Sequence, residues 1–571
     1  MRQITPQPPL DSAISKRRGE PRQLRRKTCA ALCFAALLAA CGRSDPGFVG
    51  TVKGFTGGAV ADEPRAARVA ADVLAAGGTA ADAAVALYFT LAVTLPSTAS
   101  LGGGGTCVVY DGKLNRGQVL DFTPRAPAGG GPIALPGSAR AMFMLHAQYG
   151  KLRWEQVVGP AEGLARLGFP VSRALAADLV AATPVLAGDP ELAKVFLRPD
   201  GTPYTEGQPL VQRDLSTVLA AIRTRGPGDF YTGRVARQFV EAAAVQGSMI
   251  TVDDMRNAEM SWRPAVIVRE DSFMLFFPSP PAVAGILEAQ MWNMAAPRWK
   301  RATPDERPHL FAQASVRAWL DRQRWLARDL KVTPSPLEIV EEERTKALMA
   351  SYQPTRQTLP PGLKAQAEPG PDDAAATSFV VLDREGNAVS CTVTADGLFG
   401  AGHIAPGTGI VLAAAPNDSR GPQWLGPVVA VREGESSIPF FNRFGKSHGN
   451  SGGVASEGSQ FVFGGAASGG AVAASALVSV ALRTLIEERP LDEAMDAQRL
   501  HDEGVPPDTV FVESGVQPRP PGLVERGYQL VPVPVIGRVN AIACFGGVKD
   551  KPESCAFRAD RRGFGLAAGG Y

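Results

Sequence analysis

Two kinds of periodicity run along this chain, and their order constrains the fold more than any single motif. The early part is patterned for helices. "ADEPRAARVAADVLAAGGTAADAAVALYFTLAV", from Ala61, reads as two of them. Val69, Val73 and Leu74 fall at helical spacing, and Gly77-Gly78 closes the first helix. Thr79 with Asp82 has the form of a capping box opening the second, which Pro96 stops. "SLGGGGTCVVYDGKLNRGQVLDF" then gives a glycine-rich turn, a strand over Thr106–Tyr110, a turn at Asp111-Gly112-Lys113 and another strand. Residues 137–350 read as mainly helical, including "SARAMFMLHAQYG", "WEQVVGPAEGLARLG", "GRVARQFVEAAAVQG" and "LFAQASVRAWLDRQRWLARDL". In the last, Phe311, Ala314, Ala318 and Trp325 are expected along one face.

From residue 352 the character changes. "YQPTRQTLPPGLKAQAEPGPDDAAA" (352–376), rich in proline, glycine and alanine, reads as a connector. "SFVVLDREGNAVSCTVT" follows as two strands around the turn Arg384-Glu385-Gly386-Asn387. Residues 431–460 form a second polar stretch, and Ser468-Gly469-Gly470 introduces a long apolar helix. The C-terminal part, "GRVNAIACFGG" to "RADRRGFGLAAGGY", returns to strands. No internal repeat is present. A helical half followed by a strand–helix half predicts an α/β (α+β) fold with sheets sandwiched between outer helices.

Residues 1–40 stand apart. A basic stretch, "KRRGEPRQLRRK", precedes the short apolar run "TCAALCFAALLAAC". That is the layout of a secretory signal, with an apolar run too short to span a bilayer. Leu38-Ala39-Ala40-Cys41 resembles a bacterial lipobox, which implies cleavage before Cys41, lipid on its sulfur and a place at the periplasmic face of an envelope membrane, with Gly42 pointing to the outer one. The alternative is an ordinary signal peptide with an unrelated cysteine. The leader carries eight Lys/Arg and two Asp/Glu, a charge of +6, so the chain's +3 becomes −3 without it. A near-neutral body with no basic stripe is a poor match for nucleic acid.

Seven cysteines are present. Cys107 and Cys391 lie in apolar strand patterns and are expected to be buried thiols. Cys544 and Cys555 flank a loop in a disulfide-permitting compartment, and their pairing stays open. The chain lacks a CxxC motif and its five histidines are scattered, which argues against a structural zinc site.

One placement invites chemistry. Thr377 stands at the mouth of a strand, after an acidic connector. A hydroxyl is a weak nucleophile and needs a base. Cutting the peptide bond before a threonine frees an α-amino group beside the hydroxyl, so no histidine is required. On strand composition alone, Thr377 reads equally as an ordinary strand residue. "GNSGG" (449–453) matches a loose G-x-S-x-G, but Ser451 lies in the polar stretch rather than at a strand-to-helix elbow. Gly102–Gly105 has no Walker lysine and opens no helix, so it reads as a tight turn rather than a nucleotide loop.

Stretches along nearly the whole chain from Gly57 resemble the γ-glutamyltransferase (glutathione hydrolase) family of N-terminal-nucleophile hydrolases. They are "GGAVADEPRAARVAADVLAAGGTAADAAVA", "GGGGTCVVYDG", "LPGSARAMFMLHAQYG", "LARLGFPVS", "GDFYTGRVARQFV", "ITVDDM", "GNAVSCTVTADGLFGAGHIAPGTGIVL", "GGAASGGAVA" and "DRRGFGLAAGGY", in the family's order and spacing. The resemblance implies a four-layer αββα sandwich, a small-molecule amide substrate, an acyl-enzyme mechanism without a cofactor or metal, and self-cleavage into a large and a small subunit. The implied division is a leader over 1–40, a large-subunit region over 41–376 ending in the 352–376 connector, and a small-subunit region over 377–571.

Site residues carry over one at a time. Thr377 is the candidate nucleophile, yet counting back from Gly386-Asn387 sets the family's nucleophile position on Ala376 and its second threonine on Thr377. A one-residue slip in a strand turns a side chain to the other face. Thr394 is expected to orient the nucleophile, and Gly469 and Gly470 to supply oxyanion-hole N–H groups. Asp396 (Asn in the family pattern) and Asp418 are expected to hold a substrate ammonium. The family's carboxylate-clamping arginine falls on Thr123 of "DFTPRAP", leaving Arg125 as the candidate in a rebuilt loop. Its paired serines are replaced by "QWLGPVV". Three outcomes follow: an active γ-glutamyl amide hydrolase or acyltransferase, an amidase of altered specificity, or a catalytically silent binding lipoprotein of the same fold.

Overall fold

The computed structural model describes residues 54–570, except 328, 360–361, 363–374, 417–422, 435–452 and 516–519. Cys41 and its leader, Asp418, Ser451 and most of the connector lie outside the described residues.

Two sheets stack face to face. The first has seven strands in the order 566–569, 57–61, 376–383, 388–394, 104–111, 116–122 and 261–264. The second has six, in the order 555–558, 538–544, 460–468, 428–432, 273–277 and 266–270. Alternation along each strand divides its residues between two cores, as a period of two requires. From the 376–383 strand, Phe379 and Val381 pack with the helices Pro64–Ala75 and Ala80–Thr94, while Val380 and Leu382 pack between the sheets against Phe461, Ala466 and Ile542. Helices Ala284–Trp299, Arg307–Arg322 and Val472–Ala481 cover the far side of the second sheet through a third core. The layers therefore run helix, sheet, sheet, helix.

Hydroxyls cross the seam between the sheets. Ser378 donates to the Ala466 carbonyl at 3.2 Å and Ser390 to that of Gly465 at 2.7 Å. Such close approach needs glycine opposite: a Cβ on Gly464 would stand 3.0 Å from the Val380 side chain.

Several expectations hold. The capping box at Thr79 is formed, with Asp82 accepting from the Thr79 N–H at 2.9 Å. The 384–387 turn joins the strands read on either side of it. Three expectations are corrected. Residues 261–277 lie in the stretch expected to be mainly helical, but they form three strands; Val266–Glu270 alternates in burial, whereas Phe273–Phe277 is an apolar run buried throughout. The helix carrying Phe311 ends at Arg322, so Trp325 belongs to the turn beyond it and is buried there. Cys107 and Cys391 are not free thiols. They face each other on adjacent antiparallel strands and are joined as a disulfide, 284 residues apart. Cys544 and Cys555 form a second disulfide.

Each sheet contains strands from both sides of residue 376. Neither portion of the chain completes a sheet by itself.

Candidate active site

Four of the singled-out residues converge where the 376–383 and 388–394 strands meet the C-terminal end of the 460–468 strand. Thr377 is 1% exposed. Its hydroxyl donates to Asp62 Oδ2 at 3.0 Å. The same oxygen accepts from the Ser378 N–H at 3.0 Å and from Ser468 Oγ at 3.4 Å. Asp62 Oδ1 accepts from Asn540 Nδ2 at 2.8 Å, and that nitrogen also donates to Ser378. Asp62 follows directly on the 57–61 strand, whose Ala61 pairs with Phe379, so backbone pairing delivers the carboxylate to this point.

Register decides which residue stands where. Ala376 pairs with Thr394, and Thr377 pairs with Val393. Val393 packs in the helix-facing core, whereas Ser378 and Thr392 reach carbonyls of the second sheet. By alternation, Ala376 lies on the face shared with Thr394 and Ser378, and the Thr377 side chain leaves the strand on the other face. Thr394 Oγ1 donates to the Ala375 carbonyl at 2.8 Å and accepts from the Asp396 N–H at 2.8 Å. Thr394 thus grips the backbone upstream of Ala376. Asp396 is held with φ +57°, a left-handed conformation that its short polar side chain tolerates.

The candidate oxyanion pair stands in backbone conformations that favour glycine. Gly469 and Gly470 have φ of +130° and +67°, and a Cβ on Gly469 would lie 2.9 Å from Gly537 Cα. They stand just ahead of the Val472–Ala481 helix, where N–H groups lack intrahelical acceptors and the dipole favours negative charge. Two polar contacts brace this helix and its neighbour from behind. Ser475 Oγ lies 2.9 Å from His501 Nδ1, and Ser315 donates to the Asp502 carbonyl at 2.6 Å.

The candidate carboxylate clamp is occupied internally. Arg125 Nη2 lies 2.8 Å from Asp121 Oδ2, and Arg263 Nε lies 2.7 Å from the same oxygen. The Thr123 hydroxyl donates to Asp121 Oδ1 at 2.9 Å. Both guanidiniums are about a third exposed while Asp121 is buried. Gln423 donates to the Pro124 carbonyl at 3.4 Å, so the "QWLGPVV" segment meets this loop.

A second carboxyl lies near the site. Ser97 donates to Asp178. Burial raises the acid's pKa, the Ser97 bond and the Arg538 charge oppose that rise, and the charge of Asp62 adds to it. Sequence reading missed Asp62, Asn540, Ser468, Asp178 and Arg263. Asp62 precedes Glu63, which caps the first helix by accepting from the Ala66 N–H, so locally the pair has the form of helix-start acids. Nothing local marked the others. Among the described residues no group of three or more His, Cys, Asp or Glu is placed to hold a metal ion, and no helix is long and apolar enough to cross a membrane.

Comparison with known proteins agrees with this architecture. A glutathione hydrolase proenzyme of Pseudomonas aeruginosa is 28% identical over 498 residues, covering 82% of this chain and 87% of that protein. An acylase ACY 1 proenzyme of Pseudomonas sp. strain V22 is 29% identical over 544 residues, covering 86% and 90%. The crystal structure of a cephalosporin acylase from Bacillus halodurans superposes with a TM-score of 0.72 over 92% of this chain and 98% of that one; at 19% identity this speaks for the fold alone. The family described as Gamma-glutamyltranspeptidase matches residues 66–569, and the chain, with its stacked sheets and paired glycines, belongs to that family of amide hydrolases and acyl transferases.

Proposed function

We propose that this protein is an amide hydrolase or acyltransferase acting on γ-glutamyl amides such as glutathione, with Thr377 as its nucleophile after scission of the Ala376–Thr377 bond. The observation that carries the reading is the shared acceptor at Asp62. It binds the Thr377 hydroxyl from the first sheet and Ser468, the residue before the glycine pair, from the second. The hydroxyl and the residue that leads into the glycine pair are thereby tied to one carboxylate. Relatives that hydrolyse glutathione or act as acylases support the substrate class.

In the cleaved protein the Thr377 α-amine takes the hydroxyl proton as Oγ1 attacks the amide carbonyl. Gly469 and Gly470 N–H groups receive the oxyanion, a contribution of roughly 3–4 kcal/mol per donor in comparable sites. The leaving amine departs with the proton. Water, or an acceptor amine in transfer, then releases the acyl group. The reaction as drawn calls on neither a metal nor an organic cofactor. For Thr377 to reach a substrate between the sheets, the freed strand end must turn, because the intact register aims its side chain at the helix layer. We further place the protein at the periplasmic face, tethered through lipid on Cys41. Two disulfides fit an oxidising compartment. Substituting Cys41 by serine and finding the protein released from membranes tests the tether.

A second reading is favoured by a different observation. Ala376, which has no hydroxyl, holds the strand position opposite Thr394. On that reading the protein keeps the fold, stays in one piece and binds its ligand without turnover.

A reduced denaturing gel separates the two. Residues 41–376 and 377–571 correspond to fragments of about 35 and about 20 kDa at the chain's mean residue mass. Reduction is essential, because the Cys107–Cys391 disulfide spans the scission point and holds the fragments together. Two reduced bands with release of amine from γ-glutamyl amides support the proposal. One reduced band without hydrolysis establishes the second reading. Comparing amides with and without the α-carboxylate then tests whether the Asp121-bound arginines still accept one.

A further inference from the structure

Self-cleavage poses a problem that the cleaved enzyme does not have. Until the Ala376–Thr377 bond breaks, the Thr377 nitrogen is an amide and accepts no proton. Its hydroxyl must lose a proton to some other group. We propose that Asp62 is the base for the protein's own scission, a catalytic residue outside the set that the sequence pointed to. The inference rests on Thr377 being the nucleophile.

Three features carry it. Asp62 Oδ2 already accepts the Thr377 hydroxyl at 3.0 Å, within the reach a general base requires. The carboxylate is fixed against the strand it serves: the Ser378 N–H binds one oxygen and Asn540 the other. Backbone pairing of Ala61 with Phe379 sets its height along that strand. Finally, Asp62 is 8% exposed, so bulk water does not freely supply an alternative acceptor at the hydroxyl.

The step balances. Thr377 Oγ1 attacks the carbonyl carbon of Ala376 as its proton passes to Asp62 Oδ2. The C–N bond breaks, and the Thr377 nitrogen takes that proton to become a free amine. Ala376 is left as an ester on Thr377. Water cleaves the ester, giving a carboxyl on Ala376 and restoring the hydroxyl. Asp62 ends as it began, beside a hydroxyl that now has its own α-amine. The Asp62 charge is felt at Asp178, where Arg538 acts in the opposite sense.

The experiment follows scission of the full mature protein by reduced gel, with N-terminal sequencing of the small fragment. Wild type is expected to yield a fragment beginning at Thr377. Asp62→Asn is expected to slow cleavage by at least about 100-fold, the lower range for losing a general base. Asp62→Ala is expected to regain cleavage when formate is added, which a merely structural role would not do. Asp62→Glu with a native melting curve serves as the folding control and is expected to keep measurable cleavage. Cleavage of Asp62→Asn within threefold of wild type overturns the inference while leaving the Thr377 reading intact. So does a natively folded Asp62→Ala that formate does not restore. An uncleaved wild type overturns the Thr377 reading, and this inference falls with it.

Discussion

The two sides of the site face each other across the sheet seam and are built to different specifications. On the second sheet, Ser468-Gly469-Gly470 leads into a helix with backbone angles suited to glycine and polar braces behind it. On the first, Ala376 stands opposite Thr394, the Thr377 hydroxyl sits one residue on, and Asp62, just past another strand, accepts from it. One side keeps its shape through backbone geometry, which few substitutions can imitate. The other depends on one side chain at one parity of a strand, which a single slip undoes. The side built from backbone is therefore the more legible, and the side built from a side chain is where the strand register matters most.

The strongest test of that contrast exchanges the two strand positions. Thr377→Ala is expected to abolish scission and lower turnover by about 10⁴-fold or more, the scale for losing a covalent nucleophile. Ala376→Thr, measured beside it, restores a hydroxyl opposite Thr394. If Ala376→Thr creates cleavage and turnover while Thr377→Ala changes nothing, the first position is the aimed one and the binding-only reading describes the natural protein. On the glycine side, Gly470→Ala puts a Cβ on a residue at φ +67° and is expected to lower kcat by roughly 10²–10³-fold through misaimed donors. An unchanged kcat would remove the pair from the chemistry.

Smaller effects probe how each side is held. The Cys107–Cys391 disulfide ties the first sheet's strands over a separation of 284 residues, against 11 for Cys544–Cys555. Loop-closure entropy assigns the longer link about 5.6 kcal/mol and the shorter about 2.8 in an unbroken chain. Paired serine substitutions compared by urea unfolding should rank in that order. Behind the glycine side, burial pushes the Asp502 carboxyl up to about 8. Its folded-state pKa exceeds the unfolded value of 3.8, so the native state binds the extra proton and this group's contribution falls as pH rises between about 4 and about 8. The slope is up to about 1.4 kcal/mol per pH unit. Asp502→Asn should flatten the dependence of melting temperature on pH across that window. An unaltered slope would mean that Asp502 does not titrate there.

Legibility followed the range of the interactions. Helix starts and stops were readable because caps and breakers act within a turn: Thr79 with Asp82, and Gly77-Gly78. The 376–394 hairpin was readable because its turn and its alternation are contiguous. The three strands within 261–277 were not, since short apolar runs fit either a buried helix or a strand. The Cys107–Cys391 bond escaped notice because each cysteine looks like any apolar strand residue until the register sets them opposite.

By itself, the sequence determined the family, the layered fold, the glycine turn before the long helix and the ambiguity at residues 376 and 377. Those rest on local pattern and on motif order. Tertiary structure alone decided that Thr377 meets Asp62, that Arg125 is held by Asp121 beside Arg263, and that Asn540 completes the carboxylate's shell. The physical reason is strand pairing: it brings side chains hundreds of residues apart into contact, and its register, fixed by the whole sheet, chooses the face each one occupies.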